Sequence, residues 1–142
     1  MKVRIALAAA AGAACLLATV PLQAKTIHFS TTLNGASEVP ANDSKGTGKV
    51  DADFDTASNK FSYAVTYSGL TGPAVAAHFH GPAAAGANAP PIIMIKELPS
   101  PIKGSETLTP DQAKDLLAGK WYFNVHTAAH GPGEIRGQLN PP

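Results

Sequence analysis

Hydrophobic and polar positions alternate along most of this chain. From Thr26 to Leu33, Ile27, Phe29, Thr31 and Leu33 fall on one side and His28, Ser30 and Thr32 on the other. Lys49–Asp55 sets Val50, Ala52 and Phe54 against Lys49, Asp51, Asp53 and Asp55. Lys60–Tyr67 sets Phe61, Tyr63, Val65 and Tyr67 against Ser62, Ala64 and Thr66. The same period of two runs through Val75–His80, Trp121–His126 and Glu134–Leu139. Successive side chains of a strand point to opposite faces, so each segment predicts a strand with one face buried, the pattern of antiparallel sheets. Ile92-Ile93-Met94-Ile95 is an unbroken apolar run and predicts a buried strand, with Met94 in the core. The turn-rich Asp55–Asn59 links two strands as a hairpin, and Gly81–Pro91, built of Ala, Gly and Pro without periodicity, predicts a loop. One segment changes period. Thr109-Pro110-Asp111-Gln112 carries a capping residue, a first-turn proline and a Gln three places after the cap, and Gly119 supplies the stop. A short helix over Pro110–Ala118 follows. Short strands separated by turn signals predict an all-β fold, an antiparallel β-sandwich or Greek-key barrel with one short helix.

Residues 1–24 stand apart from this pattern. Lys2 and Arg4 precede an apolar run, Ile5–Val20, and Pro21-Leu22-Gln23-Ala24 offers a small residue at a cut. This layout predicts a cleaved signal peptide over residues 1–24, one domain over residues 25–142, and a periplasmic or secreted protein with no membrane anchor after processing. Removing Lys2 and Arg4 leaves nine basic residues against ten acidic, so the balance moves from +1 to −1. A general attraction to nucleic acid has no support in that charge. The single cysteine, Cys15, lies in the apolar run. The remaining domain must therefore fold on an ordinary core without disulfides, which its length permits.

Four of the five histidines fall in two short segments that both end in His-Gly-Pro: His78-Phe79-His80-Gly81-Pro82 and His126-Thr127-Ala128-Ala129-His130-Gly131-Pro132. Strand alternation puts His78 and His80 on one face, with Cα atoms roughly 6–7 Å apart. If His126 and His130 meet them, the four form a mononuclear site of imidazoles. Copper suits such nitrogen ligands in an exported chain without thiolates, and zinc is the alternative. Glu134 or water would complete the set should His130 point away, and His28 is a further candidate. The competing expectation is that these histidines only hydrogen-bond to loops and brace the two turns. Asp51, Asp53 and Asp55 lack the loop geometry that wraps calcium and read as a solvated acidic face. Arg136 and Glu134 read as a solvated charge pair on the last strand. No nucleophile elbow and no phosphate-cradling glycine loop is present, so no catalytic set is predicted.

Several blocks of the chain together resemble a known family. Leu33-Asn34-Gly35-Ala36-Ser37-Glu38-Val39-Pro40, Gly46-Thr47-Gly48, Ala77-His78-Phe79-His80-Gly81-Pro82-Ala83, Trp121-Tyr122-Phe123-Asn124-Val125-His126-Thr127 and Gly133-Glu134-Ile135-Arg136-Gly137-Gln138-Leu139 look like the CHRD domain, in the same order. That module is named after chordin and also stands alone in exported bacterial proteins. The resemblance implies an all-β extracellular module, and in chordin the domain sits in a secreted antagonist of growth factors. A looser similarity, to copper-zinc superoxide dismutase, stops at the His-x-His pair and the further histidines. Three functions follow as expectations: an exported module holding copper or zinc through His78, His80, His126 and His130; a metal-free domain that binds a protein or surface partner; and a redox enzyme using the same histidines.

Overall fold

The computed structural model describes residues 23–142. The export segment expected over residues 1–24 lies, apart from its last two residues, outside the described residues. Eight strands form: β1 (Thr26–Asn34), β2 (Thr47–Asp55), β3 (Lys60–Ser68), β4 (Ala74–His80), β5 (Pro91–Met94), β6 (Ile102–Thr107), β7 (Trp121–Thr127) and β8 (Ile135–Leu139). They join one antiparallel sheet in the order β5-β4-β7-β8-β1-β2-β3-β6, curled into a half-barrel. One helix, α1 (Pro110–Leu117), bridges β6 and β7. The fold class expected from alternation holds, and the sheet takes the form of a single curled layer.

The alternating apolar residues explain the curl. Phe29, Val50, Phe54, Phe61 and Val65 from β1–β3 are buried, as are Phe79, Trp121, Phe123 and Val125 from β4 and β7. Phe61 meets Phe79 edge-to-face at 5.2 Å, although four strands lie between β3 and β4 in the sheet. That contact crosses the interior, and each such aromatic pair adds about 0.5–1.5 kcal/mol beyond area burial. The seam between β8 and β1 is short, with Asn34 opposite Arg136. Gly137 makes it possible: a Cβ there would stand 2.4 Å from the Thr32 carbonyl oxygen. Helix α1 forms as its cap predicts, with the Thr109 hydroxyl accepting from Gln112 N–H and the Gln112 side chain accepting from Thr109 N–H. Ala113 and Leu116 turn inward and attach it to the core.

One strand was unforeseen, and one core residue was misplaced. Ile102–Thr107, unassigned from the pattern, forms edge strand β6 against β3, because an edge strand with only Ile102 buried carries no alternation to read. Met94 is not core. It pairs with His78, while its neighbour Ile93 pairs with buried Phe79, so the strand's period turns Met94 outward and leaves it 68% exposed.

Candidate metal centre

β4 and β7 are hydrogen-bonded neighbours, with Ala76 opposite His126, His78 opposite Asn124 and His80 opposite Tyr122. His78, His80 and His126 therefore share the face turned away from the apolar interior, and His126 sits diagonally from His78. The rings lie 5.3 Å apart for His78 and His80, and 5.0 Å for His78 and His126, centroid to centroid. One nitrogen from each of the three can be chosen so that all lie within 4.8 Å of one another. His78 Nδ1 and His126 Nε2 are already 3.2 Å apart. Tetrahedral coordination at about 2.0–2.1 Å sets nitrogens roughly 3.3 Å apart, so closing this triangle on one ion takes shifts of about an ångström.

Backbone carbonyls aim two of the rings. His126 Nδ1–H donates to Gly131 O at 2.9 Å, which leaves Nε2 as the inward lone pair. His80 lies between two acceptors, with Nδ1 2.8 Å from Ala89 O and Nε2 3.0 Å from Asn124 Oδ1. A neutral ring has one N–H for these two acceptors, so in the tautomer that donates from Nδ1 to Ala89, His80 Nε2 has a lone pair that the amide oxygen does not satisfy. A cation at that nitrogen would satisfy it. This is the arrangement by which metal-ligating histidines are oriented: one nitrogen fixed to an oxygen, the other left for the ion. Burial lowers the basicity of His78, and the neighbouring His126 and His80 lower it further. Burial also lowers His80, with the Ala89 and Asn124 hydrogen bonds acting against it and the His126 and Arg136 charges acting with it. Both rings are thus held in the neutral form that binds metal.

The His80 ring is braced from the side. Tyr122 stacks on it at 4.7 Å with 3° between the planes, and its hydroxyl donates to Ala89 O at 3.2 Å. The Arg136 guanidinium lies 3.4 Å from the Tyr122 ring centroid and donates to Asn88 Oδ1 and Ala87 O. Arg136 thereby pins the loop that supplies Ala89 O. It is not the solvated charge expected from the pattern: it is 2% exposed, and Glu134 is fully buried. Nor do the two form a pair. The Glu134 carboxylate accepts from Ser44 Oγ (2.6 Å), Thr127 Oγ1 (2.6 Å), Thr71 N–H and Thr71 Oγ1 (both 2.8 Å). Burial alone would raise its pKa; those hydrogen bonds more than offset it and hold the carboxyl down at about 2. Alternation cannot foresee this, because it shows which face leaves the sheet but not that a loop covers that face.

The remaining candidates fall elsewhere. His130 sits in the turn after β7, its N–H donating to Thr127 O, and does not belong to the converging group of three. His28 is exposed on β1, and its Nδ1 lies 2.8 Å from Asp53 Oδ1. Sequence reasoning missed Asn124 and Glu38. Glu38 is 4% exposed, and burial raises its pKa to about 7 against the opposing Arg136 charge and the hydrogen bonds from Val39 and Asn124. Gly133, at φ +139°, leaves the space it occupies: a Cβ there would overlap Glu38 Oε1. Nothing in the local pattern around Gly133 signals a buried carboxylate from another loop.

Compared with known families, the chain matches the CHRD domain over residues 29–139. No curated protein and no solved structure matches it.

Proposed function

The chain belongs to the CHRD domain family, and on that premise we propose that it is an exported binding module that holds a transition metal, copper before zinc, through His78, His80 and His126. The observation that carries this reading is the convergence of three imidazole nitrogens within 4.8 Å, two of the rings being turned by carbonyl oxygens so that Nε2 is left for an ion. Copper is favoured because the site is built from nitrogen and residues 25–142 contain no thiol. With His130 outside the converging three, the fourth position falls to another donor, water being the first candidate. The basic start and apolar run of residues 1–24 support export. No helix among the described residues is long and apolar enough to cross a membrane.

The test is metal uptake by untagged protein, measured by elemental analysis and by titration. Wild type is expected to bind one equivalent. His78→Ala and His126→Ala should each abolish stoichiometric binding and leave the circular dichroism of the fold unchanged, since both rings lie outside the apolar core. Wild-type protein that takes up neither copper nor zinc would end this reading. The second function, a metal-free interaction domain, would then stand, supported by the free edges of β5 and β6 at the two ends of the sheet.

A further inference from the structure

Met94 has no packing role that its position explains. It is 68% exposed, the most exposed of the large apolar side chains among the described residues. Its backbone is nonetheless fixed: β5 pairs with β4, and Ile95 N–H extends the ladder by donating to Ala77 O at 3.0 Å. The register sets Met94 directly opposite His78, on the same face of the sheet. Side chains so paired have Cβ atoms about 4.5–5.5 Å apart. Methionine has three rotatable bonds and a polarisable sulfur, so its thioether can swing over the neighbouring strand without moving the backbone. Its exposure leaves the side chain free to change rotamer. The three histidines leave at least one position of a tetrahedral ion open. His78 therefore has His126 on the neighbouring β7, Met94 opposite it on β5, and His80 two residues along its own strand.

We propose that Met94 supplies a thioether ligand to the histidine site, and that this makes the site select Cu(I) over Zn(II). The inference rests on the histidine reading given above and adds to it a ligand and an oxidation state. Its chemical basis is softness. A thioether binds Cu(I) well and contributes little to Zn(II), which three imidazoles and water already suit. An N₃S set would hold Cu(I) without any thiolate.

The experiment compares wild type with Met94→Leu, which keeps the apolar volume and removes the sulfur at an exposed position. Both are prepared untagged and metal-free. Each is titrated anaerobically with Cu(I) against a chromophoric chelator and separately with Zn(II) against a competing chelator. X-ray absorption at the copper edge then reports the bonded atoms. Wild type is expected to show sulfur bonded to copper. M94L should lose that sulfur and roughly tenfold or more of its Cu(I) affinity, with Zn(II) affinity essentially unchanged. Copper bound by nitrogen alone in wild type, with M94L giving the same Cu(I) affinity, would overturn the role of Met94 and leave the histidine site standing. Equal losses of Cu(I) and Zn(II) in M94L would also overturn it, since the residue would then support the site without selecting a metal. Wild type that takes up no metal removes the histidine site itself and this inference with it.

Discussion

Glu134 and Glu38 are both buried, and their surroundings push them in opposite directions. For Glu134 the folded pKa of about 2 lies below its ordinary 4.5. Its stabilisation is therefore complete above pH 4.5 and is lost as pH falls from there through about 2, on the order of 3 kcal/mol in all. For Glu38 the folded value of about 7 lies above 4.5. The folded state then holds the proton longer than the unfolded one, so stability is highest below pH 4.5 and falls as pH rises through 7, by a similar amount. Taken together, these two groups place the stability maximum on the acid side of neutrality. Denaturation measured from pH 3 to 8 should show Glu38→Gln stabilised near pH 8 and little changed near pH 4. Glu134→Gln should be destabilised near pH 7 and lose most of the acid-side slope. A Glu38→Gln variant with the wild-type profile at alkaline pH would show that this carboxyl is not buried as described.

Strands β8 and β1 approach closely where Gly137 lies against Thr32. Gly137→Ala would press a methyl group into the Thr32 carbonyl, and forcing those strands apart should cost several kcal/mol, about 2–4. Amide exchange should show protection lost first around Asn34 and Arg136. A variant with wild-type exchange there would contradict the close approach. Elements of this kind were partly legible in the sequence. β1, β2, β3, β4 and β7 alternate because one of their faces is dry, and the helix carries its cap in Thr109 and Gln112. The His78-x-His80 pair could be assigned to one face from its spacing alone. That His126 would join it depended on β4 and β7 pairing, which no local pattern encodes. β6 was illegible because Ile102 is the only one of its residues that is buried. Arg136 and Glu134 were misread because burial by the loops around residues 42–44 and 87–89 leaves no period in the strand.

At the scale of the molecule, the curled sheet has a dry inner face and an outer face that is polar yet partly covered. The histidines belong to the second. A metal ion on them would tie β4 to β7 and, through Gly131 and Ala89, to two loops. An ion present at a hundredfold over its dissociation constant stabilises the folded state by about 2.7 kcal/mol, a rise in Tm on the order of 10 °C for a domain of this size. Thermal unfolding of the untagged protein with copper, and again after chelation, measures it. Copper that leaves Tm unchanged in wild type would mean that any ion taken up is held on the surface at random. The turn that follows His126 bears on how an ion would be caught. Thr127 and Glu134 clasp each other at its neck at 2.6 Å, Glu134 N–H returns to Val125 O, and Gly131 O at its tip holds the ring. A floppy histidine peptide must surrender conformational freedom each time it captures an ion. Here most of that freedom is surrendered once, when the chain folds, and an arriving ion would have its own water to shed and the rings to draw in by about an ångström.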